Sequence, residues 1–362
     1  MRARKLGERA LKRLGLAAAA RIAAEPRRRP EEVELARLER ILVVRQDRRL
    51  GNLVLLTSLL GGLRRAAPRA TVAVVAPAGF AAVLAGHPAV DSILTLDHRR
   101  LLRSPQEIAA LRNKLRGAAP ELAIDASPHH AASFLNGLVT WASGARYRLG
   151  YARPEATPFL NLLAPPPAAG GETHESVLLH DLLRVVAPAI DPPPRPWIVP
   201  PPGAAELAAR FRRRLGVEPG CMVAGLHPGG RRQKRWGIER FEAVAAELAA
   251  RGVAVLVFSG PAERPLLSAM APPGPRRLYA PPTDSRGLTT LLTGLDLFIS
   301  GDCGPMHLAS ALGVPCVSVF RVGDHARYRP LGERDRVLHV AGGEVEPAAV
   351  VRAAAAILGA ET

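Results

Sequence analysis

Short, continuous apolar runs alternate along the chain with stretches whose apolar residues recur at helical spacing. Residues 41–44 (ILVV), 71–76 (TVAVVA), 92–96 (SILTL) and 122–125 (LAID) are of the first kind, as expected of strands buried on both faces. Between them, 53–65, a segment carrying Phe80, Val83 and Leu84, and 105–116 read as helices. The alternation resumes later, with strands at 222–227, 253–258, 297–300 and 316–320 and helices at 238–251, 288–293 and 306–312. Alternation at this period predicts parallel sheets covered on both faces through right-handed crossovers.

Proline and glycine separate the two series. Pro165, Pro166 and Pro167, then Gly170 and Gly171, precede one helical stretch near 174–186, and two further proline clusters at 192–194 and 200–202 follow it. The pattern predicts an α/β protein of two Rossmann-like domains facing a central cleft, over 41–170 and 201–345, joined by a linker over 171–200. A basic N-terminal extension occupies 1–40 and a C-terminal helix 346–362. In the extension Leu6, Ala10, Leu11 and Leu14 form one apolar stripe among Arg2, Arg4, Lys5, Arg9, Lys12 and Arg13. Such a helix fits an anionic membrane surface or a solvated basic face, and it lacks the apolar stretch of a secretory signal.

Composition narrows the class. At 362 residues the chain can bury a sizeable core, and no apolar run approaches the ~20 residues of a membrane-spanning helix, so a soluble protein is expected. Cys221, Cys303 and Cys316 are scattered without metal-ligand spacing, which suits a reducing, cytoplasmic compartment and no structural metal. The 49 Lys and Arg against 32 Asp and Glu give a net charge of +17, suited to anionic partners. Only Lys5, Lys12, Lys114 and Lys234 are lysines, so much of this charge also fits a codon bias toward arginine. Aromatic residues, 4% of the chain, are too sparse for base-stacking platforms, so no nucleic-acid partner is expected.

No GxxxxGK[ST] loop, no GxGxxG opening the first helix, no HExxH and no GxSxG is found. Candidate chemistry lies instead in three loops at strand ends, where open α/β sheets place ligands. Residues 45–52 (RQDRRLGN) follow the first strand: Asp47 reads as a functional carboxylate or a salt-bridged loop acid, and Asn52 could cap the next helix. Residues 227–236 (HPGGRRQKRW) offer His227, Gly229 and Lys234 in a cationic loop suited to a diphosphate. Residues 300–307 (SGDCGPMH) place Asp302, Cys303, Gly304 and His307 where a strand turns into a helix, so its first N–H groups face any anion there. Cys303 has no evident base beside it and reads as a stand-in for a small hydroxyl residue.

Together these loops resemble family 9 glycosyltransferases, the bacterial heptosyltransferases of the lipopolysaccharide inner core. ILVVRQDRRLGNLVLLTSLLGGLR and FAAVLAGHPAVDSILTL are similar to that family's first domain, GLHPGGRRQKRWGIERF to its phosphate loop, and GDCGPMHLASALGVPCVSVF to its D-[ST]-G-x-x-H signature. The resemblance covers about 41–325. It implies a GT-B fold, a nucleotide-sugar donor in the C-terminal domain, a lipid-linked saccharide acceptor in the N-terminal domain, and inverting transfer with no metal and no cofactor. Carried over, Lys234 would contact donor phosphates, Glu263 the ribose or nearby hydroxyls, Asp302 the heptose, and Gly304 and His307 the diphosphate. Cys303 departs from Ser or Thr and removes one hydroxyl donor.

Asn52 departs further, standing where the family has the catalytic aspartate of a Gly-Asp pair; an amide is no base. Asp47 is the favoured replacement, Asp125 the other candidate. The remaining reading is a non-catalytic nucleotide-sugar-binding homologue. A peripheral position at the inner face of the cytoplasmic membrane is expected from the basic extension.

Overall fold

The computed structural model describes residues 25–96, 105–131, 133–154, 156–167, 172–214, 216–322, 325–341 and 343–359. The expected helix carrying Leu6 to Leu14, and Gly170 and Gly171 at the expected boundary between domain and linker, lie outside them.

In the first half, β1 (Arg40–Val44) leads into α1 (Leu50–Leu55) and α2 (Thr57–Ala66), followed by β2 (Thr71–Pro77), β3 (Ser92–Leu96), α3 (Pro105–Gly117) and β4 (Leu122–Asp125). Then come α4 (Phe134–Ala142), β5 (Tyr147–Tyr151), β6 (Leu162–Ala164) and α5 (Glu175–Asp181). The six strands form one parallel sheet in the order β3-β2-β1-β4-β5-β6. Its central strands bury nearly every side chain, which is why they read as unbroken apolar runs.

The second half runs α6 (Ala204–Arg214), β7 (Val223–His227), α7 (Ile238–Ala250), β8 (Ala254–Val257), β9 (Arg277–Tyr279) and α8 (Ser285–Leu292). It continues with β10 (Leu297–Gly301), α9 (Gly304–Ala311), β11 (Cys316–Val319), β12 (Arg336–Leu338) and α10 (Pro347–Leu358). Its parallel sheet has the order β12-β11-β10-β7-β8-β9, the order of the first sheet counted from β7. Both halves are therefore doubly wound, with switch points between β1 and β4 and between β7 and β10.

Of the elements absent from the sequence reading, all but the apolar α4 have weak patterns. β6, β9 and β12 have three residues each, β5 carries Arg148 and Gly150, and α6 buries only Ala204 and Ala208. Arg148 tolerates burial because its guanidinium donates to the carbonyls of Phe159 and Ala145 and pairs with Glu25 at 2.8 Å.

The proposed extension over 1–40 needs correction at its end. Val33, Leu35 and Leu38 are buried in the core of the first half, and Tyr147 Oη donates to the Glu32 carbonyl at 3.0 Å, so residues 25–40 belong to that domain. The expected linker is also packed: α5 lies against α2, where the His180 ring occupies the space a side chain at Gly62 would need. The chain then crosses between halves, the Trp197 N–H donating to Thr57 Oγ1 (3.1 Å) and the Ile198 N–H to the Ala311 carbonyl (3.0 Å). One apolar cluster runs through both halves, from Leu50 and Val54 of α1 to Met306 and Leu308 of α9.

Candidate active site

The carboxyl ends of the two sheets face each other, and the loops at both switch points line a cavity of about 670 Å³. That volume suits a nucleotide-sized ligand. Helices α1 and α9 pack against each other with their N-termini at the cavity. The approach is close: a Cβ on Gly304 would lie 3.0 Å from Leu50 Cβ, and one on Gly51 would lie 2.6 Å from the His307 ring. Glycine at these positions lets two helix starts, each carrying partial positive charge, meet at one place.

From the second half, His227 ends β7, and its Nδ1 lies 3.1 Å from the Phe258 carbonyl. Gly229 follows, where a Cβ would lie 2.6 Å from both His227 Nε2 and Glu263 Cγ. Lys234 Nζ pairs with Asp302 across the loops after β7 and β10 and lies 5.5 Å from the centre of the Tyr328 ring. Glu263 accepts from the Gly260 N–H at 3.1 Å and lies 3.9 Å from Arg235. Cys303 is the N-cap of α9 but makes no side-chain cap bond; burial pushes its thiol up to about 12, so it is no thiolate nucleophile. Burial, with His174 and Lys234 nearby, lowers His307 to about 3, and burial likewise lowers His227, so both imidazoles are neutral near pH 7. All of these candidates except Gly229 line the cavity.

The first half contributes Arg49, Gly51, Asn52 and His130. Asn52 is not an N-cap: α1 begins at Leu50, with Arg49 in the cap position, and Asn52 sits in its first turn. Its Nδ2 donates to Asp47 Oδ2 at 3.0 Å. Asp47 does not line the cavity; it pairs with Arg45 Nε at 2.6 Å and accepts from the Arg49 N–H at 3.2 Å. Arg45 is fully buried and also donates to the Ala126 carbonyl. Asp47 is thus salt-bridged, with about a quarter of its side chain still exposed to solvent. Asp125 is buried at the end of β4, accepts from the Ser127 hydroxyl (2.6 Å) and N–H (3.0 Å), and has its pKa raised by burial; it does not line the cavity either.

Sequence reasoning missed Phe80, His130, Thr283 and Tyr328 in the cavity wall. His130 had a signal, since it follows the β4 strand end in SPHH; Tyr328 lies on a helical turn, His325–Tyr328, with none. Among the described residues the one group with metal-ligand chemistry is His129, His130 and Glu175, and the Arg327 guanidinium already bonds to all three.

Residues 108–350 match the sequence profile described as Glycosyltransferase family 9 (heptosyltransferase). Lipopolysaccharide heptosyltransferase 3 of Escherichia coli is 32% identical over 130 residues, 33% of this chain and 38% of that protein. The solved glycosyl transferase family 9 structure from Veillonella parvula is similar with a TM-score of 0.77 at 20% identity, covering 91% of this chain and 99% of that one. The structure of E. coli ADP-heptose lps heptosyltransferase II is similar with a TM-score of 0.73 at 20% identity, covering 88% and 98%. At such identity the likeness is one of fold, the GT-B pair of facing Rossmann-like domains.

Proposed function

The chain belongs to glycosyltransferase family 9, and on that premise we propose that it moves a heptose from ADP-heptose to a lipopolysaccharide-core or related lipid-linked saccharide. One observation carries the reading: the N-termini of α1 and α9 converge with Lys234 and Arg231 on the cleft between the two switch points. This is where negative charge would grow as a nucleoside diphosphate leaves the anomeric carbon, and fixed donors aimed there favour the transition state. The acceptor hydroxyl attacks from the first half, on the face opposite the diphosphate, so the anomeric carbon inverts. The cations and helix ends supply the neutralisation that a metal gives in other transferases. Phe258, Ala280, Pro281 and Leu288 offer apolar walls for adenine beside Glu263, which would take the ribose hydroxyls. The donor assignment draws on the E. coli heptosyltransferase named for ADP-heptose.

The acceptor proton is assigned to Asp47, reached from Asn52 through one water molecule, since about a quarter of the Asp47 side chain meets solvent. Near-normal turnover by Asp47→Asn would remove it from that role. The amide of Asn52 at the cavity, with Asp47 held by Arg45, favours a second reading: donor binding without turnover. No helix among the described residues is long and apolar enough to cross a membrane. The basic residues 1–24 would hold the protein at an anionic membrane face, and deleting them should lower co-sedimentation with anionic vesicles.

The functional test is mass spectrometry of a core acceptor incubated with enzyme and ADP-heptose. Gain of one heptose supports transfer; ADP-heptose binding with no product on any core acceptor supports the second reading; absence of binding contradicts both.

A further inference from the structure

We propose that Arg327 is the latch that holds the two halves closed over the cleft, and that it is a positioning residue for the transfer step; the second clause rests on the proposed transferase reading. Arg327 sits on the turn His325–Tyr328 of the second half, and its partners all belong to the first. Its Nε and Nη2 donate to Glu175 Oε2 at 2.9 and 2.6 Å, and Nη2 also reaches His129 Nδ1 at 3.2 Å and His130 Nδ1 at 2.5 Å. A guanidinium only donates, and Nη2 has two N–H groups for three acceptors, so His129 and His130 share one of them in a three-centre bond, each accepting at Nδ1 with its proton on Nε2. They are suited to this: burial first, then the Arg327 charge, lowers each to about 4, so both are neutral near pH 7.

The cluster is more than a surface ion pair. Glu175 is 1% exposed, and separating the halves would leave this buried carboxylate without the one cation it pairs with among the described residues. Two residues on, the Arg329 carbonyl lies 2.9 Å from His174 Nε2, a second bond across the same seam.

The latch also reaches the site. Tyr328, the next residue, lines the cavity with its ring near two cations: Arg327 Cζ lies 5.3 Å and Lys234 Nζ 5.5 Å from its centre. Seating Arg327 among Glu175, His129 and His130 therefore fixes Tyr328 beside the lysine that faces the donor phosphates. His130 lines the same cavity, so the latch sets the tautomer that this side chain shows to the acceptor.

The test compares wild type with Arg327→Ala and with the double change Arg327→Met, Glu175→Leu, which removes the latch without stranding a buried charge. Small-angle scattering on ligand-free protein should show a larger radius of gyration in both variants. With ADP-heptose and a core acceptor, kcat should fall about tenfold to a hundredfold, ADP affinity should change less than about threefold, and water should capture a larger share of the donor sugar. An unchanged radius with an unchanged ratio of hydrolysis to transfer overturns the latch, even if kcat falls. If wild type transfers no sugar, the functional reading fails by itself, and the scattering comparison still decides whether Arg327 closes the cleft.

Discussion

The two halves share one strand order and put the same two loops at their switch points, yet they use their charges in opposite ways. In the second half Lys234, Asp302 and Glu263 all stand in the cavity wall, Lys234 paired with Asp302 and beside the Tyr328 ring, Glu263 held by the Gly260 N–H and near Arg235. In the first half Asp47 and Arg45 are turned inward on each other, and Asp125 is closed off against Ser127. A doubly wound sheet thus fixes where a site can be, while the loop side chains decide whether charge faces the ligand or the protein. Here the second half presents its charged pair to the cavity, and the first half lines it with Gly51, Asn52, Arg49 and His130.

The largest effect should come from the charged side. Lys234→Ala removes the lysine proposed to face the donor phosphates and the partner of Asp302, and should lower kcat by about 10²–10³-fold; initial-rate measurements at saturating acceptor check this, and a loss below tenfold would place the phosphates elsewhere. On the other side, Asp47→Asn should cost about 3 kcal/mol of stability, because it strands the buried Arg45 guanidinium. Denaturant unfolding measures it, and a loss under 1 kcal/mol would mean that the pair does not hold the loop.

At the meeting of the halves, Gly51→Ala should cost about 1–3 kcal/mol through overpacking against His307. If it melts like wild type, α1 and α9 are not in tight contact.

Acid should act through the histidines along the seam. His129, His130 and His174 are held near 4 and His307 near 3, below the unfolded value of 6.5, so the unfolded chain binds more protons between those limits. Stability should be full above about pH 6.5 and fall as pH drops toward 4. A Tm flat over that window would contradict their burial as neutral rings. The smallest effect is Cys303→Ser, which supplies the cap bond that α9 lacks and should raise stability by about 1 kcal/mol or less.

Most central strands of both sheets were legible in the sequence and the edge strands, β3 apart, were not, for physical reasons. Strands at the centre of each sheet are buried on both faces, so β1, β2, β7 and β10 announce themselves as apolar runs; edge strands β9 and β12 have one neighbour and three residues, too few for a pattern. The second-half loops that line the cavity were legible because glycines, a rare lysine and a histidine mark backbone turns at strand ends. Asp47 was legible as an acid, but not its direction: its partner Arg45 is two residues away, and nothing local tells whether that guanidinium points to water or lies fully buried. His130, Tyr328 and Arg327 come together only through the closure of one half on the other, which spacing along the chain does not encode.

The most direct test of this division of labour is calorimetric titration of ADP-heptose into wild type, Lys234→Ala and Asp47→Asn under the same conditions. The account predicts that Lys234→Ala weakens binding at least tenfold while folded Asp47→Asn binds like wild type. Equal binding by all three, or loss confined to Asp47→Asn, would contradict the assignment of the donor to the second half.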